Sequence, residues 1–186
     1  MNTLVVFSGL PGTGKSTLAN RLARELRWPL LCIDDVALDV PENAGTDFWD
    51  SQIMILLRLA EAQLELGINV IVDSVFMNTD RHHAQALAQK YQSNFRPIYT
   101  FTSDDRIWEE RVMKRYAELN NPAVATWERL QHQRQHFRTW EPDTALFVDA
   151  VTPAEKNYEA VLKFATSEEV ALKPLDDIPL VKGKYH

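Results

Sequence analysis

"TLVVFSGLPGTGKSTLANRLARELR", residues 3–27, changes its hydrophobic rhythm twice. "TLVVFS" is a compact β-prone run, and it ends at the glycine-rich "GLPGTG". "KSTLANRLARELR" follows, with Leu18, Leu22 and Leu26 spaced for one helical face. The order is strand, tight loop, helix. Across the junction, Gly9 to Ser16 satisfies the pattern G-x-x-x-x-G-K-[ST]. Gly12 and Gly14 permit a tight path, and successive backbone N–H groups along such a path converge on phosphate. The helix that follows turns its positive end to the same anion. Gly9, Pro11, Gly12, Thr13 and Gly14 thus form the cradle. Lys15 is expected to reach the β- and γ-phosphates, Ser16 to place its hydroxyl on Mg2+, and Thr17 to lie near the α-phosphate. Nucleoside triphosphate binding follows from this stretch.

Binding leaves the reaction class open, because kinases, ATP-driven switches and GTPases all need this cradle. No convincing N-K-x-D tetrapeptide for guanine is present, which favours ATP. A chain of 186 residues also leaves little room for the extra modules of a ring-forming mechanical ATPase.

The composition, 45% hydrophobic and 25% charged, is that of a soluble globule with one substantial core. The single cysteine, Cys32, excludes an intrachain disulfide and a cysteine-based metal site. A net charge of -6 weighs against nucleic acid or an anionic membrane as partner. The amino terminus lacks a basic leader and no apolar run approaches membrane-spanning length, so a cytoplasmic location is expected.

Further strands are expected at "LLCI", "NVIVD", "FRPIYTF" and "TALFVD", with Pro97 at a strand start or edge. Helices are expected over 47–66, with Ile53, Leu56, Leu57, Ala60 and Leu64 inward, and over 79–91. Two arginine-bearing helices over 104–119 and 123–139 read as a lid. Thr152, Pro153 and Glu155 carry an N-cap, N1 and N3 signature for a last helix to about 164. The expected fold is an α/β three-layer sandwich on a mostly parallel five-stranded sheet, of the nucleoside-kinase type, with a helical lid. Residues 1–165 form this domain, with the lid at about 104–139, and 166–186 form a tail.

Ligands of such a sheet gather beyond the C-terminal strand ends. Gly9, Asp34 and Asp73 all follow strand-like runs, so they should share one rim. Asp73 closes "NVIVD" and could hold a metal-bound water or orient an acceptor. Asp34 and Asp35, read as extended, point to opposite sides. A base in phosphoryl transfer need only position a hydroxyl and accept its proton. Geometry alone does not choose between the two.

"VVFSGLPGTGKSTLANRLA", "CIDDV", "GINVIVDSVF", Arg81 and "TSDDRIWEERVMKRYAE" together resemble the small P-loop kinases of the zeta-toxin, chloramphenicol-phosphotransferase and polynucleotide-kinase group, which are AAA-domain-like ATP-binding proteins. The likeness runs over about 3–120, and strand five with its helix extends it to about 164. It implies an ATP- and Mg2+-dependent kinase acting on a hydroxyl of a small molecule, with Asp34 as the acceptor-activating base and Asp35 capping a helix or supporting substrate. It also places Arg111 and Arg115 in the lid, over the transferring phosphate or against adenine. Arg81 falls on the acceptor side, where substrate contact and support of its own helix are both open. Two departures count against a polynucleotide acceptor: Ala37 stands where those kinases carry a phosphate-holding arginine, and Asp73-Ser74-Val75 replaces their Asp-Thr-Asn element. The competing reading keeps the nucleotide site in a regulatory ATPase or nucleotide-dependent interaction protein. Phe48 and Trp49 are pocket-wall candidates. His132 and His136 are read as a polar lid face, and Cys32 as core packing.

Overall fold

A computed structural model describes residues 1–35, 48–119 and 126–175. Five strands, β1 (Thr3–Ser8), β2 (Leu30–Cys32), β3 (Val70–Asp73), β4 (Asn94–Phe101) and β5 (Leu146–Asp149), pair in the order β2-β3-β1-β4-β5. Every pairing is parallel, in registers that set Phe7 against Asp73 and Cys32 against Asp73. The C-terminal ends of β1, β2 and β3 therefore share one rim, as expected for Gly9, Asp34 and Asp73.

The continuous apolar run of β1 is explained by helices on both sheet faces. Leu4 and Val6 turn to one face and Val5 and Phe7 to the other, the period of two of a strand. On the first face lie α2 (Phe48–Glu65) and α3 (Asn78–Lys90); on the second lie α1 (Lys15–Leu26) and α6 (Ala154–Thr166). Ile53, Leu56, Leu57, Ala60 and Leu64 are all buried, and Gly67 turns the chain at φ 75° after α2. A third apolar cluster, including Leu10, Trp108, Val112, Leu130 and Trp140, joins the sheet rim to α4 (Asp105–Leu119) and α5 (Trp127–His136). Trp108 meets Trp127 edge-on at 5.2 Å, and Arg134 pairs with Asp105 at 2.9 Å, so the two lid helices hold each other.

Four expectations need correction. First, β2 ends at Cys32, and Ile33, Asp34 and Asp35 are already helical. The two aspartates are therefore separated by a helical step of roughly 100° rather than by opposite faces of a strand. Second, Pro97 lies within β4, an interior strand of the sheet. It is housed there because β5 pairs only from Ile98 onward and leaves that part of β4 uncovered on one side. Third, the last helix starts at Ala154 with no side-chain cap. Glu155 is spent on Arg21 at 2.8 Å, while the Asn157 amide donates to the Asp149 and Thr152 carbonyls. Fourth, α5 stops at His136, and 137–140 run on as a non-helical segment.

The beginning of the tail is tied down. Leu175 N–H donates to the Gln85 side chain at 3.2 Å, and Lys173 pairs with Asp143 at 2.9 Å.

Arg81 is the main polar clasp between α3 and the return from the lid. It is 4% exposed and donates to the carbonyls of Phe76 (3.2 Å), Thr139 (3.1 Å) and Arg138, beneath the Trp140 and Phe137 rings. Burial pushes its guanidinium down to about 10. Arg81→Met leaves these carbonyls without a donor, so we expect a loss on the order of 3 kcal/mol in urea unfolding.

Candidate active site

The glycine-rich loop is clamped from below and from the side. Gly9 has φ 146°, and a Cβ there would fall 2.3 Å from the Thr100 carbonyl oxygen of β4. At Gly12 (φ 84°) a Cβ would lie 2.7 Å from the Val112 side chain of α4. Glycine is thus required at Gly9 by contact with the sheet and at Gly12 by contact with the lid. A chain of buried hydroxyls holds the same loop. Thr13 Oγ1 donates to Leu10 O at 2.8 Å or shares a proton with Thr100 Oγ1 at 2.7 Å. Thr100 reaches Ser8 O at 3.2 Å, and Trp140 Nε1 donates to Ser8 Oγ at 2.9 Å. Trp108 Nε1 donates to Pro11 O at 2.8 Å.

Helix α1 opens after Gly14 with neither a side-chain cap nor an acid in its first turn. Its positive end is free to receive an anion. Before it lies a cleft of about 370 Å3 lined by Gly12 to Leu18 on one side, Arg111 and Arg115 on another, and Ala150, Thr152, Ala154 and Asn157 behind. Of the sequence-predicted residues, Gly12 to Thr17 and both lid arginines are therefore brought together. Arg111 donates to Ala150 O at 3.0 Å, which ties the lid to the loop after β5. That loop is shaped by Asp149, whose carboxylate accepts from Ser103 N (3.1 Å) and Val151 N (3.0 Å). Burial works against its charge, but the Ser103 side chain, these two amides and Arg111 hold its pKa below the usual carboxylate range. Asp149 and Asn157 escaped the sequence reading, although a carboxylate closing strand five, like Asp73 closing strand three, was a usable signal.

Asp73 is 1% exposed and its Oδ1 has no hydrogen-bond partner. Its other oxygen receives the Cys32 thiol at 3.8 Å. Burial raises its pKa above the usual range, opposed by Lys15 and a hydrogen bond from Ser16, with Asp34 adding to the rise. Burial also pushes the Cys32 thiol up to about 11, with the Asp73 charge second, so it is a packing and donor group. A buried carboxylate oxygen with no partner, beside Lys15 and the Ser16 hydroxyl, suits a hydrated hard cation.

Asp34 and Asp35 are both exposed, and Asp34 faces Arg115 at 3.5 Å. Arg81 is spent on backbone carbonyls, so the structure gives it support of α3 and the lid return. Ala37 and the side chains of Phe48 and Trp49 lie outside the described residues. His132 and His136 meet edge-on at 4.9 Å, and no group of three or more metal-ligating side chains occurs among the described residues. Nor does any described helix have the length and apolarity to cross a membrane.

A parallel five-stranded sandwich with a glycine-rich loop, a buried strand-end carboxylate and an arginine-bearing lid defines a small P-loop kinase fold. The AAA domain family model matches residues 4–140, and the chain belongs to that family. Its structure is similar to that of a candidate kinase from Chloroflexus aurantiacus J-10-fl, with 25% identity, TM-score 0.69, and 87% of this chain and 95% of that one covered. A sugar kinase from Janibacter sp. HTCC2649 shares the fold at 20% identity and TM-score 0.68, covering 88% and 94% of the two chains. A gluconokinase from Sinorhizobium meliloti 1021 does so at 18% and 0.65, covering 88% and 91%.

The raised Asp73 pKa has a definite sign. Its stabilising share is complete below the unfolded value of roughly 3.9 and is lost as pH rises through the higher folded value. Asp73→Asn should therefore raise the melting temperature of the nucleotide-free protein at pH 7 by about 2–4 °C. The same variant should lose much of the further rise that Mg2+ with ATP confers, which paired thermal melts would measure.

Proposed function

We propose that the protein is an ATP-dependent kinase that moves the γ-phosphoryl group onto a hydroxyl of a small molecule. The observation that carries this reading is the Asp34–Arg115 pair at 3.5 Å, where an exposed carboxylate beyond β2 faces a lid arginine lining the phosphate cleft. Exposed ion pairs contribute roughly 0–1 kcal/mol, so this one is easily exchanged. A γ-phosphate arriving in the cleft offers Arg115 more charge and a forked contact. Asp34 is then free to take the acceptor hydroxyl.

The loop amides, the α1 terminus and Lys15 hold the phosphates in this scheme. Ser16 would ligate Mg2+ and Asp73 would hold it through water, using the Oδ1 that lacks a protein partner. When bound, the ion offsets charge on the β- and γ-phosphate oxygens. The acceptor oxygen forms its bond to the γ-phosphorus as the bond to the β,γ-bridging oxygen breaks, the acceptor proton passes to Asp34, and ADP leaves. In this scheme Arg115, which pairs with Asp34, contacts the transferring phosphate, and Arg111 contacts the nucleotide or its phosphates. Asp35, one helical step from Asp34, is left to support the acceptor side. The sugar kinase and gluconokinase that share the fold are consistent with a small hydroxyl compound as acceptor.

Asp34→Asn separates binding from transfer. ATP affinity by calorimetry should stay within about twofold, while phosphoryl transfer falls by about 10²–10⁴, the usual contribution of a positioned base. Turnover near that of the unmodified protein would remove Asp34 from the reaction. Phosphate released as rapidly without any acceptor, and never found on a product, would instead favour a regulatory ATPase.

A further inference from the structure

Gln52 is fully buried, and neither end of its side-chain amide has a hydrogen-bond partner. Ser74 is also fully buried, and its hydroxyl is likewise without one. A buried amide or hydroxyl left unpaired is costly, and native proteins rarely leave such a cost uncompensated.

Their place in the fold says what could compensate it. Gln52 stands one helical turn before Leu56, on the same face of α2. Leu56 packs with Ile33, Val72 and Phe76, the residues that flank the rim ends of β2 and β3. As the crossover between the parallel strands β2 and β3, α2 runs against the strand direction, so its N-terminal turns lie at the rim. Gln52 is thus directed inward at the level of the rim, where Asp34 follows β2 and Ser74 follows Asp73 at the end of β3.

Charge narrows the chemistry. Beyond β2 the rim carries two exposed carboxylates, Asp34 and Asp35. The Arg81 guanidinium nearest in sequence to Ser74 is occupied by backbone carbonyls. Lys15 and Arg115 line the phosphate cleft. An anionic acceptor would be desolvated beside the exposed Asp34 and Asp35 carboxylates, which repel it. The unsatisfied groups are neutral, and each both donates and accepts, as a hydroxyl does.

We propose that the acceptor is an uncharged polyol, recognised through its non-reacting hydroxyls by the Gln52 amide and the Ser74 hydroxyl while Asp34 takes the reacting one. This rests on the kinase reading above and adds the substrate class to it.

The test uses the full chain, labelled ATP and matched acceptors: glycerol, sorbitol, glucose and myo-inositol against gluconate and glucose 6-phosphate. Transfer to a neutral polyol is expected, with kcat/KM at least about 100-fold above any anionic counterpart. Preference for gluconate or glucose 6-phosphate would overturn the polyol assignment and leave the kinase intact. Transfer to none of the six overturns the polyol assignment. If phosphate is then released steadily with no labelled product, the kinase reading falls with it. On the preferred polyol, Gln52→Leu and Ser74→Ala should each raise the acceptor KM by about 10-fold or more, with the KM for ATP within twofold. A purely structural role for these groups would leave the acceptor KM unchanged in folded protein, and that result would remove them from recognition. Should Gln52→Leu fail to fold, the smaller Ser74→Ala change decides the point alone.

Discussion

The approach of the Gly9 backbone to Thr100 constrains everything built above the sheet. With no side chain at Gly9, the chain leaves β1 directly over the neighbouring strand, and a Cβ would sit 2.3 Å from the Thr100 carbonyl oxygen. Thr100 then uses its hydroxyl to hold Thr13 and reach back to Ser8. The loop is consequently braced by β4 as well as by the β1 and α1 that it joins. Such bracing matters because a phosphate cradle works through fixed dipoles, which stabilise charge only if they need not reorganise to meet it.

The same clamp makes the lid part of the phosphate site. Trp108 donates to Pro11 O, Val112 occupies the space beside Gly12, and Trp140 closes the far end of the lid onto Ser8. Arg81 fastens that far end to α3 through backbone carbonyls. Both feet of the lid therefore stand on elements that shape the cradle. Arg111 and Arg115, which flank Val112 on α4, are therefore carried by a helix fixed to the cradle they face.

How much of this was legible follows from the range of each interaction. Strand β1, α1 and the cradle are written within residues 3–27, because local period and glycine placement determine them. The inward face of α2 was readable for the same reason. The start of α6 was misread because Glu155 answers to Arg21, far away on α1, and no local pattern contains that competition. Arg81 was ambiguous for a similar cause: two of its three partners are carbonyls nearly sixty residues later, and every residue type carries a carbonyl. Cys32 was readable as packing but not as a donor to Asp73, which depends on the register of β2 against β3. In the candidate site, the motif residues were legible and the partnerless Gln52 was not. Its significance is a missing partner, and that becomes visible only when the surroundings are known.

Asp34 and Asp73 illustrate two opposite ways of keeping a carboxylate ready. Asp34 is exposed and loosely paired, so exchanging its partner costs little. Asp73 is buried with one oxygen unsatisfied, so it destabilises the empty protein, and a cation bound there would relieve it. The first arrangement would favour turnover in the proposed reaction, since a group that meets a new acceptor in each cycle should not be held tightly. The second favours affinity, because strain removed on binding adds to the differential stability of the occupied state. Placing the two at neighbouring strand ends divides the labour along the rim. In the proposed reaction the buried carboxylate would serve the side that must hold charge, and the exposed one the side that must let a product leave.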